Sequence, residues 1–203
     1  MKKMMLLAAL VGLCTAAVGH AQESRQDASI SLFGVYAPAV YGLDIHPMTT
    51  TSTGGILASY RYMLTPRSEV ELNYSYFQNS LKYFAIAEPN TRSQVRAEEA
   101  SAAYVYTRAY KRYNPFIDAG IGVEFYIPIL NYETTNLDFK MSTQPGFIFG
   151  GGLAYELSPS WDIRVEYRGF AQRTPTLGNP AGLTQTNRYY VLMTPSLGVA
   201  YHF

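Results

Sequence analysis

The chain has 203 residues, with 16 Lys+Arg against 15 Asp+Glu for a formal net charge of +1, and it carries 18 Tyr and 10 Phe beside a single Trp. A nearly neutral chain without a basic run is a poor match for nucleic acid as a partner, and one cysteine excludes a disulfide framework. Beyond the N-terminal segment no apolar run approaches the ~18 residues that suggest a helical membrane span, so the fold class must come from periodicity.

Residues 1–21 read as a secretory signal. Lys2 and Lys3 form a basic start, Met4 to Leu13 a short apolar run, and Gly19-His20-Ala21 a small-residue cleavage site before Gln22. Leu13 is too large for the position preceding a lipidated cysteine, which argues against lipid on Cys14. Cleavage takes Lys2, Lys3 and Cys14 with it, leaving 14 basic and 15 acidic residues, a formal charge of −1 and no thiol. Residues 22–27 read as a short periplasmic segment, and 28–203 as one domain.

In chain order, that domain divides into period-2 segments. "ASISLFGVY" (28–36) alternates weakly and leaves its facing open. "GILASYRYML" (55–64) sets Ile56, Ala58, Tyr60 and Tyr62 against Leu57, Ser59, Arg61 and Met63. "EVELNYSYF" (69–77) sets Val70, Leu72, Tyr74 and Tyr76 against Glu69, Glu71, Asn73 and Ser75. "EASAAYVYT" (99–107) sets Ala102, Tyr104 and Tyr106 against Glu99, Ser101 and Ala103. "FIDAGIGVEFYI" (116–127) sets Ile117, Ala119, Ile121, Val123 and Phe125 against Asp118, Gly120, Gly122 and Glu124. "GFIFGGGLAYEL" (146–157), "WDIRVEYRGF" (161–170) and "RYYVLMTPSLGVAYHF" (188–203) complete eight strands.

The connections alternate in length. Those at 64–68, 108–115 and 157–160 are short, while 37–54, 78–98, 128–145 and 171–187 are long and rich in Thr, Asn, Pro and Gly. The Thr-rich 49–55 reads as a mobile loop. This rhythm predicts an all-β fold: an eight-stranded antiparallel up-and-down transmembrane β-barrel with short periplasmic turns and long extracellular loops. Closure removes exposed strand edges.

Aromatic position decides which face is outside. With the N-terminus in the periplasm, Tyr60, Tyr62, Tyr104, Tyr106, Tyr155, Trp161, Tyr201 and Phe203 fall at an inner level. Tyr36, Tyr74, Tyr76, Phe125, Tyr167 and Tyr189 fall at an outer one, with Ile, Val, Leu, Ala and Gly between. Two aromatic girdles around an aliphatic band are what a lipid bilayer selects. The ligand cavity of a lipocalin-like barrel has no reason to place tyrosines at two levels; the bland alternative is a secreted β-sandwich with surface tyrosines.

The last strand alternates Leu197, Val199 and Tyr201 on one face and ends at Phe203. It is similar to the C-terminal signal of bacterial outer-membrane proteins, and "GGGLAYELSPSWDIRVEYRGF" is similar to a hairpin of the same group. The mature chain thus resembles the small eight-stranded OmpA/OmpX-type barrels of the outer-membrane β-barrel domain family. The resemblance implies residence in the Gram-negative outer membrane, its lipids as surroundings, the barrel-assembly machinery as a partner in biogenesis, and a monomer.

The charged face would then line the lumen. Arg61, Glu71, Asp118, Glu124, Asp162, Arg164, Glu166, Arg168 and Arg188 are its expected polar network, joined by Glu99 and Glu156. A lone buried charge is costly, so pairing is expected. Arg61 and Glu71 are equidistant from a turn near Pro66, and Gly150, Gly152, Ala154, Ser196, Gly198 and Ala200 leave room beside the long side chains of 164–168. A filled lumen and a structural or surface-contact role follow. The alternative is a narrow, weakly cation-preferring channel, since lumenal acids outnumber bases. A third reading, an outer-leaflet lipid-modifying enzyme using loop His46 near Asp44, lacks a serine-centred motif. Two histidines without cysteine give no metal site, Gly150-Gly151-Gly152 lies in a strand rather than a phosphate loop, and no cofactor or catalytic residue is expected.

Overall fold

A computed structural model describes residues 25–41, 48–84, 91–132, 140–177 and 188–203. The signal segment and His46 lie outside the described residues. The strands are β1 (Gln26–Val35), β2 (Met48–Thr50), β3 (Thr53–Thr65), β4 (Ser68–Tyr83), β5 (Thr91–Thr107), β6 (Tyr113–Tyr132), β7 (Ser142–Ser158), β8 (Trp161–Arg173) and β9 (Tyr189–His202). Each of the eight long strands pairs antiparallel with its neighbours, β1 with β9 and β4 with β5, so the sheet closes without an edge.

Three strand limits differ from the periodicity. β1 begins at Gln26, two residues before the first predicted strand, because Asp27 pairs in register with Arg61 and His202. The Thr-rich 49–55 is not an independent loop: Thr49 and Thr50 belong to β2, which lies on the upper part of β4, and Thr53 already starts β3. β4, β5 and β6 run far into stretches that had no transmembrane alternation, with Tyr83 and Thr91 still paired. A membrane crossing takes about 9–11 residues, so strands of 16, 17 and 20 residues stand well clear of the bilayer.

That extra length explains a reversal along the wall. In the lower part, outward positions are apolar and exposed (Ile30, Leu32, Ile56, Leu72, Ile117, Ile121, Val165, Leu197), while inward ones are polar and buried (Asp27, Ser31, Arg61, Glu71, Asn73, Ser101, Asp118, Arg164, Glu166, Arg168). From the level of Phe33, Phe77, Ala97, Phe170 and Leu192 upward, apolar side chains join the inward face: Val35, Leu81, Val95 and Ile148 are buried, alongside polar Asn79, Ser93 and Gln172. On the same upper stretches of β4 and β5 the outward positions are Gln78, Lys82, Gln94, Arg96 and Glu98. β4 and β5 therefore change their sense of alternation where their outer face passes from lipid to water. Val40, Met48 and Leu177, from the segments leading out of β1, into β3 and out of β8, close over this upper core.

Small residues make room for the large ones. A Cβ on Gly146 would meet the Phe170 ring at 2.6 Å, and one on Gly152 would meet Phe116 at 2.6 Å. At eight strands the interior is just wide enough to be filled by side chains.

Candidate functional site

The lower lumen holds three arginines, each anchored by an acid from another strand. Arg61 on β3 and Glu71 on β4 are cross-strand partners, and the Arg61 Nε donates to Glu71 Oε2. Glu71 Oε1 accepts from Asn73 Nδ2 at 2.7 Å, and Glu69 Oε2 lies 3.7 Å from the other side of the guanidinium. The guanidinium plane sits 4.3 Å from the centre of the Phe116 ring. Arg164 Nη2 reaches Asp27 Oδ2 at 2.7 Å, and Arg168 Nη2 reaches Glu99 Oε2 at 3.2 Å. Ser101 Oγ donates to the second oxygen of Glu99 at 2.7 Å. These side chains are nearly sealed from solvent. In such surroundings a paired charge holds only because its partner stays in place.

The room for the arginines comes from their neighbours. Arg164, Glu166 and Arg168 stand opposite Ala154, Gly152 and Gly150 on β7 and opposite Gly198, Ser196 and Thr194 on β9. Long side chains from β8 can therefore lie across the lumen rather than along its wall. Asp118 and Glu166 lie in the field of Arg61 and Arg168 without a direct hydrogen bond from either.

Higher up, no cation among the described residues forms an ion pair with Glu124, although Arg168 lies within its field. Tyr126 donates its hydroxyl hydrogen to Glu124 Oε2 at 2.8 Å, Gln172 Nε2 donates to the same oxygen, and the Tyr126 and Tyr190 hydroxyls meet at 2.7 Å. This knot lies within the apolar upper core, of which Tyr126 and Tyr190 are part, and spans the lumen from β6 to β8 and β9.

Arg188 is corrected by the structure. It lies outside the strands, exposed, and its backbone N–H donates to Thr174 Oγ1 at 3.3 Å, because β9 begins only at Tyr189. Asp162 is at the periplasmic mouth, where His202 Nε2 lies 2.8 Å from it. Sequence reasoning missed Asp27, since the first strand alternates weakly. It also missed Gln172, Tyr126 and Tyr190, whose upper-strand positions fall where the pattern reverses. Parity counted from Arg168 and Glu124 could have found Gln172 and Tyr126, and parity counted back from Ser196 could have found Tyr190.

On the outer surface Tyr62, Tyr74, Tyr104, Tyr106, Trp161, Tyr167, Tyr189 and Tyr201 are exposed, and Tyr60, Tyr76 and Tyr155 are partly covered. Trp161 and Tyr201 have ring centres 5.0 Å apart, and Tyr201 stacks on Phe203 at 6.2 Å. Leu197, Val199, Tyr201 and Phe203 all point outward. The periplasmic mouth holds a cavity of about 160 Å³ lined by Asp27, Arg61, Glu69, Arg164 and His202 among others. Among the described residues no group of three or more His, Asp, Glu or Cys is placed to hold a metal ion.

A family model for the outer membrane protein beta-barrel domain matches residues 5–203. Among solved structures, the outer membrane protein OprG of Pseudomonas aeruginosa is 12% identical, with a TM-score of 0.68 over 90% of this chain and 97% of that one. Outer membrane protein AlkL is 18% identical at a TM-score of 0.55, over 92% and 94%. Neisserial surface protein A is 16% identical at 0.53, over 89% and 98%. No curated protein matches the sequence.

Proposed function

Since the chain belongs to the outer membrane protein beta-barrel domain family and so resides in the bacterial outer membrane, we propose that it is a non-enzymatic barrel with a closed lumen, a rigid wall that holds loops out to the surroundings of the cell. The observation that carries this reading is the pair of transverse barriers. Arg61, Arg164 and Arg168 cross the lower lumen in ion pairs, and Gln172, Tyr126, Tyr190 and Glu124 knot it above. A hydrated ion would have to break both. Loops on a fixed scaffold are the usual seat of contact with ligands, and the connections at this end are the long ones.

The buried acids outnumber the three buried arginines, so the alternative, a narrow channel, would prefer cations. Refolded protein in planar bilayers is expected to show no discrete conductance steps. Stepwise, cation-selective currents from the unaltered chain would replace the closed barrel by the channel.

A second reading has its own support. The upper lumen is lined by Phe33, Val35, Phe77, Leu81, Val95 and Phe170 beneath a cover of Met48 and Leu177, surroundings suited to a small apolar molecule were that cover to move. Saturable retention of a radiolabelled small hydrocarbon by the refolded protein, lost on Leu81→Asn, would favour it. Unsaturable, mutation-independent retention would leave the closed barrel standing.

A further inference from the structure

The short-turn end carries a feature that the lumen does not use. Arg25, Arg67, Arg108, Lys111 and Arg112 are all exposed there. They follow one another along the rim. The Arg25 carbonyl accepts from Met63 N–H at 2.8 Å, the Arg67 carbonyl from Thr107 N–H at 3.0 Å, and the Arg112 carbonyl from Glu156 N–H at 2.9 Å. These bonds string the five cations over the periplasmic ends of β1, β3, β4, β5 and β6.

The acids of the same level do not neutralise them. Asp27, Glu69 and Asp162 are turned into the mouth and engaged by Arg164, Arg61 and His202. Among the described residues of this rim that leaves half-buried Glu156 as the remaining acidic side chain. The cations are also interleaved with rings. Tyr110 and Tyr113 are exposed, the Arg108 guanidinium stands 5.0 Å from the Tyr110 ring centre, and Tyr113 packs against Tyr155 at 5.1 Å. Just above them lie Tyr62, Tyr104 and Tyr106.

We propose that this arc, from Arg25 through Arg67 to Arg108–Arg112, is a docking surface for the phosphodiester headgroups of anionic phospholipid in the inner leaflet. Charge selects the partner's sign, and guanidinium forks fit phosphate oxygens. Position selects lipid over cell-wall glycan. The turns project only a few residues beyond the aromatic girdle, which holds the cations at headgroup depth, where basic side chains gain from anionic lipid. The proposal rests on the membrane orientation of the barrel and is independent of whether the lumen is closed.

The test is lipid retention. Protein refolded into vesicles of phosphatidylethanolamine and phosphatidylglycerol is extracted gently, and the co-purifying lipids are quantified. Several-fold enrichment of phosphatidylglycerol over the bulk ratio is expected. It should fall towards the bulk ratio in the triple variant Arg108→Gln/Lys111→Gln/Arg112→Gln and at high salt, but stay at the wild-type level in Arg173→Gln, on the opposite rim. Heat-modifiable migration on gels certifies that each variant is folded. If the triple variant does not fold, Arg67→Gln with a salt titration takes its place. A bulk lipid ratio around the unaltered protein would overturn the proposal, as would enrichment indifferent to both salt and substitution. Binding of peptidoglycan fragments that is lost in the variant, with lipid at the bulk ratio throughout, would assign the surface to glycan instead and equally overturn it.

Discussion

Val165→Arg is expected to prevent or sharply weaken insertion, at a cost of about 2–4 kcal/mol for a cation near the bilayer midplane. Val165 faces outward, 54% exposed, on β8 between the levels of Trp161 and Tyr167, opposite Leu197 and Leu153. Its outward cross-strand neighbours, Leu153 and Leu197, offer no acid to meet the new charge. The measurement is the urea midpoint for refolding into vesicles, read by Trp161, the only tryptophan of the chain. A midpoint unchanged from the parent would mean that this face does not meet lipid. The neighbouring change Arg164→Val should act differently: it leaves the outer surface intact and strands Asp27 without its guanidinium.

The second large effect concerns the lower barrier. Arg61→Met removes the guanidinium held by Glu71, approached by Glu69 and stacked over Phe116. Breaking a buried pair from one side typically costs about 3–5 kcal/mol, because the surviving charge stays buried. The double variant Arg61→Met/Glu71→Leu is expected to recover a substantial part of that loss, since both charges have gone and the cavity is refilled. Equilibrium unfolding of the single and double variants gives the coupling. Strict additivity would show that the two residues stabilise the barrel independently of each other.

Much of this molecule is legible because lipid imposes a simple rule on each strand it touches. Val70, Leu72 and Tyr74 against Glu71 and Asn73, or Ile163 and Val165 against Arg164 and Glu166, announce both strand and facing. The register of the second hairpin follows from its turn, and Arg61 stands opposite Glu71 as its position relative to Pro66 requires. Legibility stops where water replaces lipid. "FQNSLKYF" (77–84) has period 2 as well, but with Phe77 and Leu81 inside and Gln78 and Lys82 outside. Joined to a membrane segment of opposite sense, it looks like a break in periodicity and hence like a loop. Gln172 and Tyr190 were lost for that reason. Asp27 was lost for another: β1 is short and alternates Ser29 and Ser31 with Ile30 and Leu32 before Phe33 turns the serine face apolar, so its facing is fixed by its two neighbours rather than by its own pattern. Arg188 lies just before β9, where the chain has not yet entered the wall.

The reversal of alternation along the wall also bears on how fast the protein can leave the membrane. Arg96 and Lys82 point outward above the outer girdle, as does Arg173, held against Tyr189. At the other end stand Arg25, Arg67 and the 108–112 turn. Sliding the barrel either way along the membrane normal drags one of these sets into hydrocarbon, at up to about 2–4 kcal/mol per cation at the midplane. The charges act as barbs at both ends. They raise the barrier to withdrawal through the lipid they would have to enter, whatever their contacts in the folded state, so residence in the membrane is set by a rate as much as by an equilibrium. The cations of the long-loop end must cross once on the way in, and lowering that barrier is work left to whatever machinery inserts the chain.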